Sequence, residues 1–129
     1  MAYNILIVDD SAIVRAVIEK TLGLCGVEVG EVFKAGNGRE GLDVLDKNWI
    51  DIVFADINMP EMNGIEMVEK MSEAGLLKTV PVVIVSTERS VTRIAELKEK
   101  GVQAYLNKPF TPENIKEVVD RLLVGKKGE

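Results

Sequence analysis

Five short apolar runs alternate with five helical patterns along the chain. Runs of this length and composition predict β-strands, and the predicted strands are residues 5–8, 31–35, 52–55, 82–85 and 104–106. The first, third and fourth runs are apolar throughout, as is typical of strands that are buried on both faces of a sheet. The alternation therefore predicts an α/β fold of three layers, in which helices cover both faces of a five-stranded parallel sheet.

Apolar spacing is clearest in the first and last helices. The last is predicted over residues 112–124, with Thr111 as its N-cap and Pro112 at its first position. The first should end at Gly26, because glycine favours the left-handed backbone that follows many helix C-termini. Its core-facing stripe is predicted to be Val14, Val17, Ile18, Thr21, Leu22 and Cys25. Cys25 is therefore interpreted as a core residue rather than a redox group.

The three middle helices have weaker patterns. Asn37-Gly38 and Asn63-Gly64 mark the starts of the second and third helices. Their apolar residues are Leu42 and Leu45 in the second helix and Ile65, Val68 and Met71 in the third. The fourth helix, predicted over residues 88–100, has an apolar seam that consists mainly of Val91, Ile94, Ala95 and Leu97. So thin a seam predicts a loosely held helix that is partly available to a partner.

Polar side chains follow the predicted strand ends. Five βα units fit the strand order 2-1-3-4-5, and such sheets bind ligands beyond the carboxyl ends of the strands, where the order reverses. The residues at these ends are Asp9, Asp10, Asp56, Ser86, Thr87 and Asn107-Lys108-Pro109. Taken singly, such residues have ordinary explanations, because aspartates after strands often cap helices and lysines are usually solvated. Their joint placement favours a functional site.

The predicted carboxylate cluster requires a countercharge, because each ionised pair repels by roughly a few kcal/mol at close range. The chain contains no histidine, so the ligands would be oxygen atoms, which favour a hard cation such as Mg²⁺ beside a phosphate. We expect Asp9 and Asp10 to share Mg²⁺, and Asp56 to be a nucleophile that forms an acyl phosphate. Lys108 and Ser86 would contact oxygens of the transferred group.

Length and composition exclude several other classes of protein. The 129 residues, 47% of them hydrophobic, predict one globular domain over residues 1–124 and a polar tail over residues 125–129 with no assigned function. The formal charge of −5 argues against nucleic-acid binding. No apolar run reaches the roughly 18 residues of a membrane span. The start of the chain lacks signal-peptide features, so a cytoplasmic location is expected.

Four sequence blocks together resemble the receiver domains of two-component response regulators. The blocks are ILIVDDS at 5–11, DINMPEMNG at 56–64, VIVST at 83–87 and KPF at 108–110. They occur in order with the family's spacing, and the resemblance covers essentially the whole chain. It implies a flavodoxin-like, CheY-like three-layer fold. It also implies that Asp56 accepts a phosphoryl group from a phosphohistidine on a sensor histidine kinase.

The same resemblance implies roles for individual residues. The Mg²⁺ ligands would be Asp10, Asp56, the backbone carbonyl of Asn58 and, largely through water, Asp9. The phosphoryl group would be held by Ser86, Lys108 and the backbone amides of Asn58 and Thr87. The Lys108–Pro109 peptide matches a position that is often cis in the family, whereas only about 5–6% of all X-Pro bonds are cis.

A conformational switch is also implied. Tyr105 would turn inward when the hydroxyl of Ser86 moves toward the phosphoryl group. The alternative interpretation of Tyr105 is an ordinary tyrosine that is half-buried at a sheet edge.

Some positions bear on the lifetime of the phosphoryl group. Asn63 stands where aspartate is common in the family, and Thr87 stands where alanine is frequent, so its extra atoms could restrict access to the group. Asn58 and Glu88 occupy two positions that tune hydrolysis in the family, and both match chemotaxis regulators of the CheY type.

Within the family, the chain is most similar to single-domain chemotaxis regulators. This similarity implies a monomer that binds its target, the flagellar switch protein, through the fourth helix, fifth strand and fifth helix. Such a protein is not a turnover enzyme, although it supports its own phosphotransfer and slow autodephosphorylation. The alternatives are a phosphorelay intermediate, which passes the group to another protein's histidine, and a degenerate receiver that only binds partners.

Two further classes share part of the pattern. Phosphatases of the haloacid dehalogenase type also use an aspartyl nucleophile and Mg²⁺, but they carry a second acid two residues later, where this chain has Asn58. Flavodoxin-like electron carriers need a phosphate-binding loop after the first strand. Asp9 and Asp10 at that position would repel phosphate in the absence of a metal.

Overall fold

The strands and helices follow the predicted alternation. A computed structural model describes residues 2–87 and 90–124, with the side chain of Val124 excepted. The strands are β1 (Tyr3–Val8), β2 (Val29–Ala35), β3 (Ile52–Ala55), β4 (Val82–Ser86) and β5 (Ala104–Asn107). The helices are α1 (Ala12–Leu24), α2 (Gly38–Lys47), α3 (Gly64–Glu73), α4 (Val91–Lys100) and α5 (Pro112–Val119).

All strand pairs of the sheet are parallel, and the strand order is β2-β1-β3-β4-β5. The predicted fold class and order are therefore confirmed. Val8 lies opposite both Ala35 and Ala55, and Ser86 lies opposite Asn107. This register aligns the carboxyl ends of the strands at one edge of the sheet, where the sequence predicted a site.

The sheet separates two apolar cores. One core joins alternate strand residues to α2, α3 and α4, and it includes Met67, Met71 and Leu97. The other joins the remaining strand residues to α1 and α5, and it includes Ile18 and Ile115. Each fully buried aliphatic side chain contributes about 1.5–3 kcal/mol through removal from water, so these cores stabilise the sheet that carries the polar edge.

Helix α1 buries a narrower stripe than the sequence predicted. Ile18, Thr21 and Leu22 are buried, but Val17 is 49% exposed. The prediction for Val17 was wrong: an apolar residue at helical spacing can still lie at the margin of the buried stripe, and here half of it remains in solvent. Cys25 is half-buried against the α1–α5 core, and Gly26 has the expected positive φ of 81°.

Helix α4 begins later than predicted. Ser90 is its N-cap, so the helix starts at Val91 rather than at residue 88, and Glu88 lies outside the described residues. The apolar seam is even thinner than expected, since Leu97 is fully buried whereas Val91 is 80% exposed. Only the side chain of Leu97 anchors this helix deeply.

Helix α5 starts as predicted, with Thr111 as N-cap and Pro112 in its first turn. From Asp120 to Val124 the helix continues with π rather than α hydrogen bonding. The tail predicted over residues 125–129 lies outside the described residues. Within the part of the chain that the structure describes, no helix has the length and apolar character needed to cross a membrane.

Candidate functional site

The carboxylates of Asp9 and Asp10 directly follow strand β1 at the polar edge of the sheet. Asp9 continues the strand, because its backbone N–H donates to the carbonyl of Ala35 at 3.0 Å. Its side chain is almost completely buried, and Oδ1 accepts a hydrogen bond from the backbone N–H of Ser11 at 2.9 Å. Asp10 is exposed. The buried carboxylate is therefore fixed in place, while its neighbour faces solvent.

Strand β3 places a third carboxylate beside the first two. The backbone N–H of Asp56 donates to the carbonyl of Val8 at 2.9 Å, which sets the residue next to the end of β1. Its Oδ1 accepts from the backbone N–H of Ile57 at 2.7 Å. One carboxylate oxygen from each of Asp9, Asp10 and Asp56 lies within 4.8 Å of the other two, as the sequence predicted.

Lys108 supplies a positive charge to this cluster. Its Nζ donates to Oδ2 of Asp9 at 2.9 Å and to Oδ2 of Asp56 at 3.3 Å. The Lys108–Pro109 peptide is cis, as expected. Burial lowers the pKa of Lys108, but the hydrogen bond to Asp9 and attraction to both carboxylates outweigh it, so the pKa is raised above the ordinary value. The ammonium therefore stays charged at neutral pH.

The charges and donor atoms of the cluster fit a magnesium ion. The three carboxylates outnumber the one ammonium that contacts them among the described residues, and a divalent cation would offset this excess of negative charge. The available ligands are carboxylate and carbonyl oxygens, the type that Mg²⁺ prefers. Asp10 is exposed, so a bound ion could retain several of its waters. Asp9, Asp10 and Asp56 are thus suitable ligands.

Comparisons with known proteins agree with this geometry. Residues 5–120 match the family model described as the response regulator receiver domain. This chain belongs to that receiver family. A chemotaxis protein CheY homolog of Campylobacter jejuni is 36% identical over 127 residues, which cover 98% of this chain and 96% of the relative. A two-component response regulator of Oryza sativa, ORR3, is 34% identical over 94% of this chain and 91% of its own length.

The solved structures include similar receiver domains. The chemotaxis protein CheY4 of Vibrio cholerae superimposes with a TM-score of 0.83 at 34% sequence identity, and the match covers 95% of this chain and 100% of that one. The Vibrio cholerae protein therefore shares this receiver's fold over its full length.

The other predicted site residues of the receiver lie on the same edge of the sheet or close to it. Ser86 is fully buried at the end of β4, and its carbonyl accepts from the backbone N–H of Lys108 at 3.0 Å. Thr87 follows it and is exposed, as is Asn58 in the loop after β3. Tyr105 is half-buried on the edge strand β5, a position compatible with either interpretation of this residue.

Two residues support the receiver site in ways that the sequence did not predict. Arg15 donates from Nη1 to the backbone carbonyl of Asp9 at 2.6 Å, which braces the turn between β1 and α1. Gly64 donates its backbone N–H to the carbonyl of Ile57 at 2.8 Å, and a Cβ atom there would collide with the backbone carbonyl of Asp56. The sequence offered a weak signal for each, an arginine one turn into α1 and a glycine at the start of α3.

Asn63 serves α3 as its N-cap. Its Oδ1 accepts from the backbone N–H of Glu66 at 2.9 Å, and the Glu66 carboxylate accepts from the backbone N–H of Asn63 at 3.1 Å. This reciprocal capping box fixes the end of the loop that begins at Asp56. Asparagine and aspartate cap helices about equally well, so either residue at this position would preserve the cap.

Proposed function

We propose that this receiver is a phospho-acceptor switch in which Asp56 takes a phosphoryl group from a sensor histidine kinase. The observation that carries the proposal is the double contact of Lys108 with Asp9 and Asp56. It places a permanent positive charge beside a carboxylate that retains lone pairs for attack. Such a site stabilises the charge that develops on phosphoryl oxygens during transfer.

The proposed reaction forms one bond and breaks another. A carboxylate oxygen of Asp56 attacks the phosphorus atom, and the P–N bond of the donor phosphohistidine breaks, so that imidazole leaves with the bonding electron pair. The product is an acyl phosphate on Asp56. Mg²⁺ held by Asp9, Asp10, Asp56 and the carbonyl of Asn58 would neutralise the phosphoryl oxygens during this step.

The protein's own groups would orient the transferred phosphoryl. Lys108 would turn its ammonium from the carboxylate of Asp56 to a phosphoryl oxygen, while its bond to Asp9 keeps the side chain in place. The hydroxyl of Ser86 and the backbone amides of Asn58 and Thr87 would donate to the remaining oxygens. The same groups would support slow hydrolysis of the acyl phosphate, so the protein returns to its starting state without being a turnover enzyme.

Signalling would follow from a changed surface. Movement of Ser86 toward the phosphoryl group would let Tyr105 turn inward, and this change would alter the face made by α4, β5 and α5. Relatives of similar length are named as chemotaxis proteins, which supports a chemotaxis role in the cytoplasm with the flagellar switch protein as target. The phosphorelay alternative uses the same site, but this set of relatives gives it less support.

The proposed phosphotransfer is tested by intact mass spectrometry. The protein is incubated with Mg²⁺ and a small-molecule phosphodonor, in parallel with Asp56→Asn and with Asp46→Asn, which changes an exposed carboxylate of α2. We expect one phosphoryl group on the wild type and on Asp46→Asn, and none on Asp56→Asn or without Mg²⁺. A folded wild type that binds Mg²⁺ yet gains no mass would favour the degenerate binding module.

The chemotaxis role has its own test. Binding of the purified flagellar switch protein is measured with and without phosphodonor, using wild type, Tyr105→Ala and Trp49→Ala, a change at an exposed residue outside α4, β5 and α5. We expect phosphorylation to tighten binding of the wild type and of Trp49→Ala but not of Tyr105→Ala. Equal binding with and without phosphorylation would remove the flagellar switch as the target.

A further inference from the structure

The loop between β3 and α3 holds an unusual backbone shape. It carries Asn58, whose carbonyl is a proposed metal ligand. Glu61 has a positive φ of 62°, a conformation that side-chain-bearing residues rarely adopt. Inside the loop, the backbone N–H of Met62 donates to the carbonyl of Pro60 at 2.6 Å. Strained positions of this kind persist only where the surrounding structure enforces them.

The start of α2 provides that enforcement. Asn37, which is only 6% exposed, donates from Nδ2 to Oε2 of Glu61 at 2.9 Å. The backbone N–H of the next residue, Gly38, donates to the carbonyl of Met62 at 2.8 Å. A Cβ at Gly38 would lie 2.9 Å from that carbonyl oxygen, so the two segments approach too closely for a side chain. The loop is thus tied at two consecutive residues.

Capping of α2 does not by itself require an asparagine at position 37. The cap uses Oδ1, which accepts from the backbone N–H of Glu40 at 2.9 Å, and aspartate would cap the helix equally well. The amide Nδ2, which aspartate lacks, is the part of the side chain that reaches Glu61. The two halves of this side chain therefore have separable roles.

We propose that Asn37 is a positioning residue for the phosphoryl site. Its amide holds Glu61 and thereby fixes the loop that presents Asn58 to the metal. The inference deepens the proposed function and rests on it for the consequence on phosphotransfer, although the effect on the loop can be measured independently.

The test exchanges the two partners of the contact. Asn37→Asp keeps the helix cap but removes the donor and sets two carboxylates against each other. Glu61→Gln keeps an acceptor oxygen for the amide of Asn37. The double variant Asn37→Asp/Glu61→Gln reverses donor and acceptor while preserving the net charge of the wild type, and it is therefore the matched control.

Three quantities are measured on wild type and all variants: the Mg²⁺ dissociation constant by NMR titration, amide hydrogen exchange of residues 58, 59, 61 and 62 without metal, and the phosphorylation rate. We expect Asn37→Asp to weaken Mg²⁺ binding roughly three- to tenfold. Amide hydrogen exchange in the loop should become faster, and phosphorylation slower, by similar factors. The urea unfolding midpoint of every variant is measured alongside, so that a change in global stability is distinguished from a change confined to the loop. The double variant should regain most of each loss, and Glu61→Gln alone should be close to wild type.

Two results would overturn the inference. One is unchanged loop exchange and Mg²⁺ affinity in Asn37→Asp, and the other is a loss that the double variant does not recover. If the wild type takes up no phosphoryl group, the proposed function fails, but loop exchange and Mg²⁺ affinity still decide whether Asn37 positions the loop. A wild type that binds no Mg²⁺ would overturn both.

Discussion

Nζ of Lys108 lies 2.9 Å from Oδ2 of Asp9, across 99 residues of sequence. The same ammonium reaches Asp56 at 3.3 Å, so one lysine at the end of β5 serves carboxylates at the ends of β1 and β3. Asp9 is almost completely buried, and an uncompensated charge there would be costly. The contact therefore links the stability of the metal-free protein to the group that would bind the phosphoryl oxygens.

Lys108→Met should show the pH dependence of this contact. Because the pKa of Lys108 is raised in the folded protein, its contribution to stability is fully present below the ordinary value of 10.5 and is lost as pH rises through the raised value. In urea unfolding with chelator at pH 8, we expect the variant to be less stable than wild type by about 1.5–3 kcal/mol. The difference should shrink above pH 10.5.

Lys98→Met, a change at an exposed lysine of α4, is the control for that experiment. Its stability relative to wild type should vary much less over the same pH range. A difference for Lys108→Met that stays constant through pH 11 would contradict the assignment of the effect to the ammonium.

Asp10→Asn should distinguish the contribution of Asp10 to Mg²⁺ binding from its repulsion of the neighbouring carboxylates. Removing one of three close carboxylates should raise the metal-free stability by up to about 1 kcal/mol. At Mg²⁺ tenfold above its dissociation constant, the wild type should gain about 1.4 kcal/mol, and the variant should gain much less. Thermal unfolding with and without Mg²⁺ measures both effects. Asp43→Asn, at an exposed position on α2, should keep the full Mg²⁺ response, and the idea fails if Asp10→Asn keeps it too.

Gly64→Ala should disrupt the site, because Gly64 packs directly against the backbone of Asp56. The added methyl group would collide with the backbone carbonyl of Asp56, and we expect a loss of about 3 kcal/mol in urea unfolding. Gly23→Ala is a matched change, because nothing lies within 4 Å of a Cβ at that helical position. It should stabilise the protein by about 0.5–1 kcal/mol. Equal effects of the two substitutions would show that the close approach at Gly64 is unimportant.

Leu97→Ala and Val91→Ala should show that the stability of α4 depends on its buried side chain rather than on its exposed one. Leu97 is fully buried, so its truncation should cost about 2–4 kcal/mol in chemical unfolding. Val91 is 80% exposed, and its truncation should cost less than about 0.5 kcal/mol. Hydrogen exchange of α4 amides should accelerate only in Leu97→Ala. A large loss on truncating Val91 would mean that the seam is wider than the contacts indicate.

The order of strands and helices could be predicted because each element depends on local spacing and capping. Residues 5–8, 52–55 and 82–85 are continuously apolar, and the capping residues Ser11, Asn37, Asn63 and Thr111 stand where helices begin. The prediction failed where the burial of a side chain depends on how its helix packs against the sheet. Val17 has an apolar side chain that fits the stripe of α1, but the rotation of the helix on the sheet leaves it half-exposed.

The sequence by itself determined the composition of the site, because its residues stand at or just after the ends of apolar strand segments; they are Asp9, Asp10, Asp56, Ser86 and Lys108. Only the tertiary structure decided which atoms meet. Lys108 contacts Asp9 and Asp56, and Asn37 contacts Glu61, across long stretches of sequence. Arg15 contacts the backbone of Asp9 at a spacing that no sequence pattern indicates. Side-chain hydrogen bonds depend on positions set to within a few tenths of an ångström, and that precision comes from the packed cores on both faces of the sheet rather than from local sequence.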